Sequence, residues 1–442
     1  MGPSPVEGSA VIPGLTVASP PVPSAPPFRA PSGTHDVLPP ESARWQALVG
    51  RFATLAGRAG YGLVVNPVFE EIGVFQRVGE GTDVVRKEMY AFEDRGGRAL
   101  ALRPEGTASV VRAYVQHRPT PPWKVWYAAP SFRYERPQAG RYRQHHQLGV
   151  EVLGSDDADV DVEVIVLADE LYRSLGLDQV TLALNSIGDA VCRPGYLRLL
   201  DAYLAERGDQ LCGEHRQRRV EQPLRVLDCK RPECRDATEA APRMLDHLCE
   251  PCTAHFNRVR RGLDALGTSY GLDSRLVRGF DYYTRTTFEF VATVLEGAQN
   301  AVGGGGRYDG LVEELGGPPT PGIGFGIGIE RVLLACDAEG VLAPPEATVD
   351  VWVVDATGGD AARDLTWSLR RAGVAADRAF DERSMRAQMK LADRSGARLA
   401  LLVGPDEASA GTVSLRRLRD DDGAQELVAR HHVVARVKEL LA

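Results

Sequence analysis

A chain of 442 residues is too long for one ordinary hydrophobic core, so two or three domains are expected. Its 43% hydrophobic and 25% charged residues are those of a soluble globular protein, and a net charge of -8 excludes coating nucleic acid by bulk positive charge. No apolar run is long enough to span a bilayer, and the first residues lack the basic and apolar regions of a secretory signal, so no membrane and a cytoplasmic location are expected.

Residues 1–30 are rich in Pro, Ser, Ala and Gly and read as a disordered tail, because they bury too little surface to offset ordering entropy. After Pro39 and Pro40, Trp45, Leu48, Phe52, Leu55 and Ala59 recur at helical spacing, and Gly60 and Gly62 stop the helix. A strand-like run, Leu63 to Glu70, carries Pro67, which removes a ladder donor and places the run at a sheet edge or interface. A helix is expected after Thr107, with Val110, Val111 and Tyr114 on its apolar face. Further expectations are a helix from Asp159 to Leu175 and a strand from Val180 to Leu184. Residues from about 188 to 272 look mainly helical and lie between strand-rich blocks, so they read as an insertion. Strands resume at Leu276, and a helix takes Glu330 to Cys336. Pro344 and Pro345 mark a linker. Beyond it, residues 346–442 alternate strand and helix as a compact α/β domain does.

Five stretches carry candidate chemistry. FRYERPQAGRYRQHHQLGVEV, residues 132–152, gathers Arg133, Arg136, Arg141 and Arg143 around one turn. Its return strand puts Gln147, Gly149 and Glu151 on one face and Leu148, Val150 and Val152 on the other. Arg133 and Glu135 share a face of the first strand. Arginine forks suit phosphate, whereas a solvated hairpin would use the same residues as cross-strand ion pairs. In LRPEGTASVVRA, Glu105 and Thr107 stand at a strand-to-helix turn. There a carboxylate binds an ammonium group or simply favours the helix N-terminus. In LVRGFDYYTRTTFEF, Arg278 precedes Tyr282 and Tyr283, two neighbours expected to point to opposite faces, only one of them core. AVGGGGRYDGL lets the backbone of Gly303 to Gly306 approach a ligand, with Arg307 following, but no lysine follows as in a phosphate loop. In PGIGFGIGIERVLL, glycines 322, 324, 326 and 328 strip one strand face bare, and Arg331 follows. A bare face beside an arginine suits a flat base with a phosphate tail.

The seven cysteines raise a separate question. Cys229 and Cys234, then Cys249 and Cys252, form a CxxxxC and a CxxC that suit tetrahedral zinc; four buried or free thiols would read the same way.

Together these stretches resemble the class II aminoacyl-tRNA synthetases and, among them, the histidyl-tRNA synthetase family. PVFE resembles motif 1, FRYERPQAGRYRQHHQLGVEV motif 2 and GIGFGIGIERVLL motif 3. RGFDYYTRTTFEF and GGGGRYDGL resemble the two peptides peculiar to the histidine family. The resemblance covers about residues 33–442. It implies an α+β fold: a class II antiparallel-sheet catalytic domain (31–343) with the helical insertion, then a small α/β anticodon-binding domain (346–442). It also implies a homodimer that activates L-histidine with ATP and Mg2+ and transfers it to the 3′ end of tRNA(His).

The resemblance further implies roles. Arg133 and Arg278 would be the catalytic arginines at the α-phosphate. Arg331 would hold the γ-phosphate, with Gly328 and the glycine face under adenine and ribose. Glu105, Thr107 and Gln147 would take the α-ammonium group, and Glu151, Tyr283 and Tyr282 the imidazole. Arg136, Arg141 and Arg143 would touch the tRNA acceptor end. Arg383, Arg386, Lys390, Arg416, Arg417 and Arg419 would serve the anticodon. His145 departs from the family, which often has an aromatic residue there. A zinc quartet would not be a general family feature. The alternative function is a synthetase-like regulatory subunit that binds histidine without charging tRNA. Such proteins usually lack the anticodon domain and have eroded signature residues, whereas Arg133, Arg278, Arg331 and a full C-terminal domain are present here.

Overall fold

The computed structural model describes residues 28–442 except 80, 81, 83, 278–281, 298, 299, 346, 348, 382 and 421–424. The expected tail therefore lies outside the described residues but for 28–30, and so does Arg278.

The first domain is built on an eight-stranded sheet. In chain order the protein's strands are β1 (Gly62–Leu63), β2 (Phe69–Glu71), β3 (Ala91–Glu93), β4 (Ala99–Leu102), β5 (Trp123–Phe132), β6 (Gln144–Leu153), β7 (Val180–Ser186), β8 (Gly271–Leu272), β9 (Thr284–Ala292), β10 (Ala301–Arg307), β11 (Gly322–Gly328), β12 (Val351–Asp355), β13 (Ala376–Arg378), β14 (Leu399–Val403), β15 (Thr412–Arg417) and β16 (Gln425–Ala429). The large sheet runs β1-β5-β6-β11-β10-β9-β7-β8. Its six middle strands are mutually antiparallel, and only the outer pairs β1/β5 and β7/β8 are parallel. The run expected as one edge strand around Pro67 is divided. β1 forms the edge of this sheet, and β2 pairs with β4 in a separate sheet, β2-β4-β3. Pro67 lies between them, where no ladder needs its missing N–H.

Period-two alternation gives the large sheet two unlike faces. Leu148, Val150 and Val152 of β6, Phe288 and Phe290 of β9, and Ile323, Phe325 and Ile327 of β11 face one core. Helices Glu41–Arg58, Ala158–Leu175, Glu250–Ala265 and Ile329–Glu339 cover it with Leu48, Phe52, Ile165, Leu171, Val259 and Val332. Each fully buried Leu, Ile or Phe there contributes roughly 1.5–3 kcal/mol before entropy is counted. The opposite face carries glycines, Gln147 and Glu151. Helix Thr107–His117 covers part of it, with Val110 packed on Val125 and Tyr127, and the glycine strip beside them stays open.

The glycine run of β10 ends at Arg307, which does not meet a ligand. It is fully buried against Asp161, with Asp309 at 3.2 Å as a second carboxylate. Burial alone would raise the Asp161 carboxyl, but His255 and Arg307 outweigh it and hold it below the usual range. This cluster ties β10 to the N-terminal end of helix Ala158–Leu175.

The insertion is helical as expected, with helices Arg193–Glu206, Gly213–Arg218, Pro223–Leu227, Pro232–Ala237 and Glu250–Ala265. Its middle packs on a small cluster of its own around Tyr196, Leu200, Leu204, Val226 and Met244. The last domain is a five-stranded sheet, β13-β12-β14-β15-β16, with β12 parallel to its neighbours β13 and β14. Strand β16 and helix Pro405–Ala410 were not expected from the sequence. β16 alternates only weakly and is exposed over its first three residues, and the helix is a single short run starting at a proline.

Candidate active site

The open face of the large sheet floors a cavity of about 230 Å³. One row across the strands reads Tyr127 (β5), Gly149 (β6), Gly326 (β11), Gly304 (β10) and Glu289 (β9). The three glycines make a flat strip, with the Tyr127 ring at one end and the Glu289 carboxylate at the other. The Tyr127 ring lies across Gly149, where any side chain would collide with it. The alternating glycines of β11 therefore divide. Gly322 is filled over by Tyr308 and Gly324 by Glu151. Only Gly326 and Gly328 lie open on the cavity wall.

Arg133, Arg141 and Arg331 line one end of the cavity. β5 stops at Phe132, so Arg133 and Glu135 belong to the loop rather than to a strand face. Arg133 Nε donates to the Pro104 carbonyl at 2.9 Å, which fastens it to the turn before Glu105. Arg331 donates from Nε to Gly140 O at 3.0 Å and from Nη1 to Ala301 O at 2.8 Å, which pins the loop turn to β10. Burial, with Arg133 and Arg141 beside it, pulls the Arg331 guanidinium below its ordinary value. Burial and then Arg133 and Arg331 lower the His145 imidazole to about 3, so it is neutral at working pH. Beyond burial, the part of both shifts that neighbouring arginines cause marks a positive potential that favours an anion.

Glu105, Thr107, Tyr127, Tyr282 and Tyr283 line the other end, with Gln147 between. Glu105 accepts the backbone N–H groups of Thr107 at 2.6 Å and Ala108 at 2.7 Å, so it caps helix Thr107–His117 while reaching the cavity. Burial raises its carboxyl against those bonds and the nearby Arg133. Tyr282 and Tyr283 are both buried, contrary to the expectation that one would be core and the other not. They precede β9 in a turn, where strand alternation does not apply, and their rings pack 4.7 Å apart. Glu151 is fully buried and lies beneath the cavity rather than on its wall. Thr107 Oγ1 donates to it at 2.7 Å, and the Tyr308 hydroxyl also donates to it. Burial raises the Glu151 carboxyl to about 8. Ser131 Oγ donates to Gln147 Oε1 at 3.1 Å, and Gln147 Nε2 lies nearest the Gly326 floor.

The loop arginines are unequal. Arg136 is exposed, Arg141 is bonded to Glu135, and Arg143 stacks on the Tyr134 ring with its guanidinium 4.0 Å from the centroid. In the last domain Arg383, Arg386, Lys390, Arg416, Arg417 and Arg419 are all exposed. Arg416 and Arg417 end β15. Arg419 lies past it and pairs with Asp393 at 3.2 Å.

The zinc quartet proposed from sequence does not form. Cys229 and Cys234 gather with Cys212 and His215, whereas Cys249 and Cys252 gather with Asp189 and Cys192. The first group joins residues of the insertion's middle and the second joins its start to its last helix, which linear CxxxxC and CxxC spacing does not reveal. Sequence reasoning also passed over Tyr127, Glu289 and Tyr308. Glu289 had left a signal: it is the acid opposite Phe288 and Phe290 in an alternating strand. Tyr127 and Tyr308 depend on cross-strand register and left none.

A family model for histidyl-tRNA synthetase matches residues 33–194 and 198–332, and one for an anticodon binding domain matches 348–440. The histidine–tRNA ligase of Rhodococcus erythropolis is 50% identical over 420 residues, 94% of this chain and 98% of its own. That of Moorella thermoacetica is 50% identical over 410 residues, 91% and 96% of the two chains. Among solved structures, the apo S. aureus histidyl-tRNA synthetase matches with a TM-score of 0.78 at 34% identity, over 93% of this chain and 100% of that one.

Proposed function

The chain belongs to the histidyl-tRNA synthetase family, and from that membership we propose how its residues divide the work. It is a histidine–tRNA ligase. A histidine carboxylate oxygen attacks the α-phosphorus of ATP, the bond to the β-phosphate breaks, and pyrophosphate leaves. The 3′-terminal ribose hydroxyl of tRNA(His) then attacks the acyl carbonyl, and AMP leaves. Neither step needs a protein nucleophile, so positioning and charge stabilisation carry the catalysis.

The observation that carries the assignment is Arg133, which lines the cavity together with Glu105, His145 and Arg331 and is fastened to the Pro104 carbonyl at 2.9 Å. That is where a substrate carboxylate meets the α-phosphate, and Arg133 is assigned to both. Arg331 takes the γ-phosphate, and adenine and ribose lie over Gly326 and Gly304 of the strip, with Gly328 beside them on the same face. The family assigns Arg278 to the other side of the α-phosphate. Glu105 and Thr107 receive the α-ammonium group. Gln147 joins them there: its oxygen accepts one bond from Ser131 and keeps a second lone pair for the ammonium group. Tyr282 and Tyr283 wall the imidazole site. Glu151 is a positioning residue that holds Thr107 and Tyr308 from beneath.

Mg2+ requires hard oxygen ligands. Glu289, a cavity-lining carboxylate at the end of the glycine strip and within the field of Arg331, is assigned to the ion. Bound there with the phosphates, Mg2+ would neutralise part of their charge.

The tRNA acceptor end would pass Arg136, Arg141 and Arg143. In support, a second cavity of about 320 Å³ joins Arg133 and Arg141 to Arg218 and Arg225 of the insertion. The C-terminal cations would read the anticodon. Exposed Leu63, Val65, Val68, Phe69 and Phe92 around motif 1 support a homodimer interface, which sedimentation would test. Among the described residues no helix is long and apolar enough to cross a membrane. The tRNA substrate makes the cytoplasm the place of action. The test of the whole assignment is ATP–pyrophosphate exchange with each of the twenty amino acids. Exchange with histidine alone is expected, and exchange driven by another amino acid, or by none, would refute it.

A further inference from the structure

The insertion is a chain of short helices, three of them only five or six residues long, around a small apolar cluster. So small a core rarely holds a fold unaided. Two groups of four metal-ligating side chains lie where such staples would act. In the first, Cys212, His215, Cys229 and Cys234 bring their ligand atoms within 4.8 Å of one another. Cys212 Sγ is 3.1 Å from His215 Nδ1, and Cys234 Sγ is 4.0 Å from it. In the second, Asp189, Cys192, Cys249 and Cys252 meet the same limit. Cys192 Sγ stands 3.9 Å from Cys252 Sγ and 3.5 Å from Asp189 Oδ1, and Cys249 Sγ is 3.8 Å from the same oxygen.

All six of these cysteines are free thiols, and Cys192 and Cys252 stand 3.9 Å apart, far beyond the about 2.05 Å of a disulfide. The separations in the second cluster lie close to the edges of a tetrahedron around zinc, and those in the first, at 3.1 and 4.0 Å, bracket them. Bond lengths of about 2.3 Å for sulfur and 2.0–2.2 Å for nitrogen or oxygen give edges of about 3.8 Å between sulfurs and about 3.6 Å between sulfur and a lighter ligand. Three thiolates with one imidazole or carboxylate select zinc among the common divalent ions, and four protein ligands leave no open position, so the ions are structural.

We propose that the helical insertion binds two structural zinc ions, one at Cys212, His215, Cys229 and Cys234 and one at Asp189, Cys192, Cys249 and Cys252. The first clamps the short-helix segment on itself. His215 and Cys229 also form part of the wall of the cavity that reaches Arg133 and Arg141, so this staple faces the basic passage. The second joins the start of the insertion to the N-terminus of its last helix, Glu250–Ala265. Beside it, Arg193 donates to the Tyr283 carbonyl at 2.6 Å, which links this clamp to a wall of the active site.

The experiment is metal counting on the full-length protein purified under reducing conditions without chelator, by plasma mass spectrometry and by colorimetric zinc release on mercurial titration. Two zinc ions per chain are expected. Cys229→Ser and Cys192→Ser should each retain one, and Cys336→Ser, at a cysteine in neither cluster, should retain two. Should the cluster variants fail to fold, cobalt(II) exchanged into the wild-type protein should show two equivalents of tetrahedral thiolate absorption. A wild-type stoichiometry of one or none after incubation with excess zinc, with the remaining thiols open to titration, would overturn the proposal.

Discussion

Gly324 and Gly326 are neighbours on one face of one strand, yet a methyl group should do opposite things at the two positions. At Gly324 a Cβ would stand 2.6 Å from Glu151 Cδ, with Glu151 Oε2 and the Val150 carbonyl nearer still. One of these is backbone, and the carboxylate is held by Thr107 and Tyr308, so little can give. Overpacking costs about 1–3 kcal/mol, and displacing Glu151 forfeits bonds worth about 1 kcal/mol each. Gly324→Ala should therefore lose about 3–5 kcal/mol, or on the order of 10 °C in melting temperature for a domain of this size. At Gly326 the nearest atom is Gln147 Nε2 at 3.3 Å, the free end of a flexible side chain, with empty cavity beyond. Gly326→Ala should melt within about 1 kcal/mol of the parent, since the lost flexibility of the unfolded chain offsets the small crowding. Its methyl group occupies the strip assigned to adenine and ribose, so KM for ATP in pyrophosphate exchange should rise about 10- to 100-fold, a loss of roughly 1.4–2.7 kcal/mol. The measurements are thermal melting by circular dichroism and exchange kinetics on both variants. Equal destabilisation of the two, or an unchanged KM in Gly326→Ala, would refute the division of the glycine face.

Arg307→Ala removes the partner of a fully buried Asp161 and should destabilise the protein by about 3–5 kcal/mol in urea denaturation; a loss below about 1 kcal/mol would mean the pair is not structural. Arg331→Ala should raise KM for ATP at least about tenfold while KM for histidine changes little, and an equal rise in both would move Arg331 away from the phosphates. Glu151 should make stability depend on pH. Below its ordinary 4.5 both folded and unfolded chains hold the proton, and the contribution is complete; between 4.5 and about 8 only the folded chain holds it. Stability from this group therefore falls as pH rises through that window, by at most about 1.4 kcal/mol per pH unit, and levels off above it. Glu151→Gln should lack this decline, so stability curves of parent and variant that run parallel across the window would contradict the raised carboxyl.

Local pattern was enough for much of this protein. Period-two alternation placed Leu148, Val150 and Val152 in the core and Gln147, Gly149 and Glu151 on the other face, because adjacent side chains of a strand must point oppositely. Helical spacing found Glu41–Arg58, Thr107–His117 and Ala158–Leu175, and a proline pair marked the last domain. The motifs named the family, because short peptides of unusual composition survive as chemistry.

Register and long-range packing decided the rest. Which glycines stay bare depends on the strand beside them: Glu151 fills Gly324 only because β6 pairs with β11 in one register. Arg307 looked like a ligand-facing residue until Asp161, 146 positions away in the chain, neutralised it in the interior. Cys192 and Cys252, 60 positions apart, meet only when helix Glu250–Ala265 returns to the start of the insertion. Sequence determines which groups a chain carries and which side of a local element they occupy. Which distant group meets them, and hence whether an arginine binds phosphate or an aspartate, follows from the burial that folding imposes.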